Sequence, residues 1–126
     1  MSKAALIVGA GDATGGAISK AFAREGYVAC VNRRARNADQ LEALAQSIRN
    51  EGYKAHAYPA DARIEDDVVA MVDAIERDVG PIEVAVFNIG ANVNFSVLDM
   101  NAQVYRKVWE MAAFAGFLMA RESARR

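Results

Sequence analysis

Three glycines, Gly9, Gly11 and Gly15, follow directly on the apolar run Ala4-Ala5-Leu6-Ile7-Val8. A strand that runs through such a turn into a helix leaves backbone N–H groups unpaired at the helix N-terminus, where positive partial charge collects. The chemistry this favours is the binding of a phosphate or pyrophosphate. In Gly9-Ala10-Gly11-Asp12-Ala13-Thr14-Gly15 the first glycine permits a tight exit from the strand, and the small residues after it let the backbone come close to a ligand. Thr14 stands where the strict G-x-G-x-x-G fingerprint has its third glycine, so that pattern fails by one residue.

A second set of chemistry-bearing residues closes the next apolar run, Tyr27 to Asn32, with Asn32-Arg33-Arg34. In a dinucleotide fold, an acidic residue at this point bonds the ribose 2'-hydroxyl of NAD, and arginine accommodates the 2'-phosphate of NADP. No carboxylate stands at this strand end. Two guanidinium groups, with Arg36 close behind, favour NADP(H) over NAD(H) through charge-assisted bonds.

Other chemistries find little support. His56 is the only histidine, no Cys-His cluster exists, and Asp66-Asp67 lie where helix-start electrostatics account for them, so no metal site is expected. Ser96 and Ser123 have no histidine at a useful spacing and read as a loop residue and a surface helix residue. The single Cys30 lies inside an apolar run and is expected to be a buried thiol in a reducing compartment, the cytoplasm.

The elements that must position these residues alternate along the chain. Strands are expected at about Ala4 to Val8, Tyr27 to Asn32, Ala55 to Ala60 and Glu83 to Asn88. Between them, Ala17, Ile18, Ala21 and Phe22 mark one helix face before Gly26. Leu41, Leu44, Ala45 and Ile48 mark a second, opened by an Asn37/Gln40 capping box. Val68, Val72, Ile75 and Val79 recur with helical period before Gly80-Pro81, and a last helix runs from about Asn101 to the end. Nearly all-apolar strands joined by helical crossovers belong in a parallel sheet covered on both faces. The expected architecture is therefore α/β, a doubly wound, Rossmann-type sheet of about four strands within one domain, residues 1–126.

The composition agrees, with 53% hydrophobic and 25% charged residues over 126 positions. A net charge of -1 offers no basic field for nucleic acid, and no apolar stretch reaches the length of a membrane span. The partner expected is a small molecule. The run Met111 to Ala120 is apolar all round, which calls for burial or pairing and favours self-association through the last helix.

Taken in order and spacing, these signals resemble the amino-terminal half of a short-chain dehydrogenase/reductase. That family's T-G-x-x-x-G-x-G turn is matched by Val8-Gly9-Ala10-Gly11-Asp12-Ala13-Thr14-Gly15, with Val8 for the threonine and Ala13 for the middle glycine. Its adenine-contacting aspartate corresponds to Asp61, followed by Ala62. Its N-N-A-G segment corresponds to Phe87-Asn88-Ile89-Gly90, retaining Asn88 and Gly90. The resemblance implies a cofactor site built from the glycine turn, Asn32, Arg33, Arg34, Asp61, Ala62, Asn88, Ile89 and Gly90. It also implies an oxidoreductase that moves hydride between NADP(H) and a carbonyl or alcohol in its complete form.

Catalysis in that family uses an asparagine, a serine and a Tyr-x-x-x-Lys pair. Four residues beyond Tyr27, Tyr53, Tyr58 and Tyr105 stand Val31, Ala57, Ala62 and Trp109, so the pair is absent, and the catalytic asparagine corresponds to Ala113. No catalytic residue is assigned. The alternative is a catalytically silent NADP-binding or dimerisation module. An S-adenosylmethionine methyltransferase is disfavoured, because its ribose calls for an acid where Asn32-Arg33-Arg34 stand.

Overall fold

The computed structural model describes residues 2–90 and 94–125. Four parallel strands, β1 (Ala4–Val8), β2 (Val28–Arg33), β3 (Ala55–Pro59) and β4 (Ile82–Phe87), form one sheet in the order β3-β2-β1-β4. Every residue of β1 is buried, because this strand has neighbours on both edges and helices over both faces. On one face Leu6, Val8 and Cys30 pack against Val68, Val72 and Ile75 of α3 (Glu65–Asp78) and Leu118 of α5 (Ala115–Arg125). On the other, Ile7 and Val31 pack against α1 (Thr14–Arg24) and against Leu41, Ala45 and Ile48 of α2 (Ala38–Asn50). The doubly wound α/β arrangement expected from the alternation is the one observed.

Three local expectations are corrected. The buried face of α1 is Gly15, Gly16, Ser19 and Ala23, with Ile18 and Phe22 half-buried beside it, whereas Ala17 and Ala21 are exposed. The smallest side chains face inward because the helix presses onto the turn it grows from, and volume rather than hydropathy decides what fits there. The Asn37/Gln40 box does not form. A short 3-10 turn, Ala35–Asn37, runs into α2, the Asn37 side chain makes no cap, and Gln40 Oε1 accepts from Arg33 Nη1 at 3.2 Å. Ser123 is half-buried rather than fully on the surface, and its Oγ is buried with no hydrogen-bond partner among the described residues.

The last helix is not one regular element. α4 (Ala102–Trp109), opened by the Asn101 side chain accepting from Val104 N–H at 2.9 Å, buries none of its residues. It passes through a π-helical turn, Glu110–Phe114, in which Ala115 N–H donates to Glu110 O. The extra residue in that turn rotates the stripe, so that α5 buries Ala115, Leu118, Met119 and Glu122. Arg121 fastens α5 to α3 through Glu65 and lies 5.2 Å from the centre of the Phe117 ring. The apolar run Met111 to Ala120 is thus buried on one side only, leaving Phe117 about half exposed, as is Trp109 at the end of α4. β4 pairs on one edge, with β1, and Glu83 on it meets Lys3 Nζ at 3.3 Å.

Candidate nucleotide-binding cleft

The turn after β1 is compressed from three sides. Gly9 sits at φ 88°, and a Cβ there would stand 2.8 Å from the carbonyl carbon and oxygen of Asn88. The N–H groups of Gly9 and Ala10 both donate to Asn32 O, at 3.1 and 3.0 Å. Asn88 N–H donates to Val8 O at 2.8 Å, and its Nδ2 donates to Gly9 O at 3.3 Å. The end of β1 is therefore clamped between the ends of β2 and β4. This is the point where strand order reverses and where open α/β sheets leave a crevice.

Gly15 closes the same knot from the helix side. A Cβ on it would run into Gly9 O and lie 2.7 Å from Ala10 Cα, and its own carbonyl accepts from Ser19 Oγ at 2.8 Å. Gly11 differs, because no atom of the described residues lies within 4 Å of a Cβ built there. The N-terminus of α1 carries no side-chain cap and no acid in its first turn, unlike α3, whose first turn holds Glu65, Asp66 and Asp67. Its N–H groups are left to other acceptors.

A cleft of ≈ 270 Å³ opens above these strand ends. Of the residues singled out in the sequence, Gly9, Gly11, Asn32, Arg33, Arg34, Asp61, Ala62, Asn88, Ile89 and Gly90 line it. Asp12, Ala13 and Thr14 are exposed on the adjoining turn, and Gly15 is buried beneath it; none of these four is part of the wall. The Asn32 side chain is committed to the fold. It is 1% exposed, and its Nδ2 donates to Tyr58 O at 2.8 Å and Ala60 O at 3.2 Å, tying β2 to the end of β3.

The cleft also holds Arg36, Asn37, Ala60, Arg63 and Met111. The 3-10 turn brings Arg36 back over the cleft, and the π-helical turn places Met111 there. Asp61 and Arg63 form a tight pair across one wall. Arg63 donates from its backbone N–H and Nε to Asp61 Oδ1, both at 3.0 Å, and from Nη2 to Oδ2 at 2.7 Å. These bonds, together with the fields of Arg63 and Arg34, hold the Asp61 carboxyl below the usual carboxylate range. Asp61 N–H in turn donates to Asp67 Oδ2 at 3.0 Å. Away from the cleft, burial pushes the Cys30 thiol up to about 12 and leaves it inert as a nucleophile. Among the described residues no group of three His, Cys, Asp or Glu side chains could hold a metal ion, and no helix is long and apolar enough to cross a membrane.

A doubly wound parallel sheet with a glycine-rich first turn at its switch point defines a Rossmann-type nucleotide-binding fold. The chain belongs to the short-chain dehydrogenase family, whose model matches residues 3–126. The 2-dehydro-3-deoxy-D-gluconate 5-dehydrogenase of Formosa agariphila is 28% identical over 119 residues, covering 94% of this chain and 45% of that protein. The crystal structure of a short-chain dehydrogenase from Rhodopseudomonas palustris superposes with a TM-score of 0.90 at 45% identity, over 98% of this chain and 57% of that one. A short-chain type dehydrogenase/reductase from Mycobacterium marinum gives 0.91 at 30% identity, over 98% and 49%. The chain thus spans about half the length of these relatives, and what it resembles is the amino-terminal half of their fold. The family is one of oxidoreductases, and membership implies a nicotinamide dinucleotide cofactor.

Proposed function

We propose that residues 1–126 act as a single cofactor-binding unit of an oxidoreductase that works with NADP(H), moving hydride between it and a carbonyl or alcohol substrate in its complete form. One arrangement carries the cofactor preference. Arg33 at the end of β2, with Arg34 and Arg36 in the turn after it, lines the cleft, with no carboxylate on that strand end to meet a ribose 2'-hydroxyl. Arg33 donates to the neutral Gln40, so its charge stays available to a 2'-phosphate. The Gly9 to Gly15 turn and the uncapped start of α1, with Asp12, Ala13 and Thr14, supply N–H groups for the pyrophosphate. Asp61 and Ala62 would hold the adenine end, and Asn88, Ile89 and Gly90, on the other wall of the cleft, would meet the part of the cofactor that leads to the nicotinamide.

The residues fit such a group. A Cβ at Gly9 would collide with the Asn88 backbone, whereas at Gly11 no atom of the described residues would be met. A cleft of ≈ 270 Å³ is at the lower end of small-molecule pockets, about 300 Å³. That is enough for the adenosine end of a dinucleotide rather than all of it. The bound nicotinamide would supply the hydride; this chain's residues bind and orient its other half. A buried Cys30 thiol is consistent with a cytoplasmic location.

The test is a calorimetric titration of the chain with NADPH and with NADH, in wild type and Arg33→Ala/Arg34→Ala. Saturable NADPH binding that weakens roughly 10- to 100-fold in the double variant, with NADH little affected, is expected from the loss of bonds to a charged group. Absence of saturable binding by either nucleotide refutes the proposal.

A second reading, a catalytically silent NADP-binding and self-associating module, is supported by Ala113. This exposed alanine lies in the π-helical turn where the resemblance puts the catalytic asparagine. The exposed Tyr105, Trp109 and Phe117 supply an apolar surface for a second copy. NADPH turnover by the chain with any of a panel of carbonyl compounds would refute silence.

A further inference from the structure

Most arginines of the described chain are neutralised in place. Arg24, Arg49, Arg63, Arg77, Arg121 and Arg125 each meet a carboxylate oxygen at ion-pair distance. Arg33, Arg34 and Arg36, which line the cleft, meet none among the described residues. Asp61, the carboxylate that feels the field of Arg34, is already gripped by Arg63 through Nε and Nη2. Among the described residues, the one side-chain bond these three arginines make runs from Arg33 Nη1 to Gln40 Oε1, at 3.2 Å. A guanidinium carries five N–H donors, so this bond holds the group and leaves its other donors to a ligand.

The acceptor is neutral at a place where an acid would be the better local choice. Gln40 is the third residue of α2, after Asn37 at the N-cap. A Glu or Gln at this position ordinarily closes a capping box on the N-cap N–H, and an acid here is favoured by the positive end of the helix. The first role is already filled, since Asn37 N–H donates to Arg34 O at 2.9 Å. The second is forgone, because an amide carries no charge. A glutamate would suit the helix and would also pair with Arg33, cancelling the charge at the cleft. Gln40 instead fastens the end of β2 to α2 and leaves the guanidinium fully charged. A long side chain held before the ligand arrives loses less freedom on binding.

We propose that Gln40, which is not itself in the cleft wall, is a positioning residue for NADPH: its neutral amide holds the Arg33 guanidinium without cancelling the charge that a 2'-phosphate needs. This inference rests on the NADP(H) reading above and adds to it a residue that acts through Arg33.

The experiment is a calorimetric titration of the full chain with NADPH and NADH, paired with thermal unfolding by circular dichroism, in wild type, Gln40→Glu and Gln40→Met. Gln40 is exposed, so neither substitution disturbs the core. Gln40→Met removes the bond and keeps the charge of Arg33; NADPH is expected to bind roughly 2- to 10-fold more weakly, the range for ordering one long side chain. Gln40→Glu keeps the bond and cancels the charge; a loss of roughly 10-fold for NADPH is expected, the lower end for a bond to a charged group. Its unfolding midpoint should meanwhile rise by about 1–5 °C, since the acid interacts favourably with the helix start. NADH, which lacks the 2'-phosphate, should be bound by both variants as by wild type. In an Arg33→Ala background, Gln40→Met should have no further effect on NADPH, because the residue acts through Arg33.

A merely structural role would move stability and binding together and would weaken both nucleotides alike, and that result overturns the proposal. So does wild-type NADPH affinity in either single variant, or an undiminished effect of Gln40→Met without Arg33. If wild type binds neither nucleotide, or both equally, the NADP(H) reading itself has failed and this inference with it. A wild type that prefers NADPH beside variants that do so equally refutes the role of Gln40 alone.

Discussion

Two glycines of the turn, Gly11 within it and Gly15 at its helix end, should respond to the same substitution in opposite ways. In Gly15→Ala the added methyl meets Gly9 O and Ala10 Cα, both backbone atoms that Asn32 and Asn88 already hold in place. Overpacking against a rigid neighbour costs about 1–3 kcal/mol, and with nothing flexible to yield the upper part of that range applies, about 2–3 kcal/mol. At this chain length each kcal/mol moves the midpoint of thermal unfolding by roughly 3–5 °C, so a fall of about 6–15 °C is expected. In Gly11→Ala the methyl meets no atom of the described residues, at a position outside the positive-φ set, so the smaller entropy of the unfolded chain should dominate. That is a gain of about 0.4–1 kcal/mol, or a rise of roughly 1–5 °C.

Thermal unfolding followed by circular dichroism measures both, and a calorimetric NADPH titration on the same samples separates folding from binding. Gly11→Ala should be stable yet bind NADPH more weakly, because its methyl occupies the wall of the cleft. A Gly15→Ala midpoint within about 2 °C of wild type would refute the packing argument. So would a Gly11→Ala midpoint lowered by more than about 5 °C.

Other perturbations probe the strand ends and surfaces. Asn32→Ala removes both bonds to Tyr58 O and Ala60 O and should cost about 1–3 kcal/mol, read as a lower urea midpoint with unchanged slope. The lowered carboxyl of Asp61 contributes stability above the ordinary carboxylate range, near pH 4, and loses it as pH falls through the depressed folded value. Urea midpoints from pH 6 down to about pH 2.5 should therefore decline less steeply in Arg63→Met than in wild type, and parallel curves would count against the pairing. Trp109→Glu/Phe117→Glu charges the exposed aromatic surface and should shift sedimentation toward the monomer at high protein concentration. Identical sedimentation of a self-associating wild type and this variant would place the interface elsewhere.

Where side-chain type and spacing determine an element, the fold was legible. Ala4 to Val8 could only be an interior strand, and Val68, Val72 and Ile75 repeat with the period of the face they bury. Reading failed where tertiary volume overrides local pattern. Ala17 and Ala21 are as apolar as the residues that replace them, yet glycine and serine take the inner face because α1 lies against its own turn. Asn37 and Gln40 have the right types for a capping box, but Arg33 claims the Gln40 side chain from a neighbouring element. The π-helical turn left no mark in composition, although its one-residue shift decides which side of Met111 to Ala120 is covered.

The site divides along the same line. Backbone-determined positions such as Gly9 and Gly15 were visible because only glycine fits, and that constraint is written in the residue itself. Side-chain roles were harder, since type does not reveal where a group spends its hydrogen bonds. Asn32 is the last residue but one of β2, where a ribose partner is sought, but its amide is used to join strands, while its carbonyl holds the glycine turn. Arg63 reads in the sequence as one basic residue among fifteen, and only the fold reveals that it grips the cleft's carboxylate. The four arginines lining the cleft are therefore not equivalent. Arg33, Arg34 and Arg36 line the cleft where the proposed 2'-phosphate would meet them, whereas Arg63 spends its charge on Asp61. Substituting the first group should weaken NADPH binding, whereas substituting Arg63 should show in the acid limb of stability, where the Asp61 pair is lost.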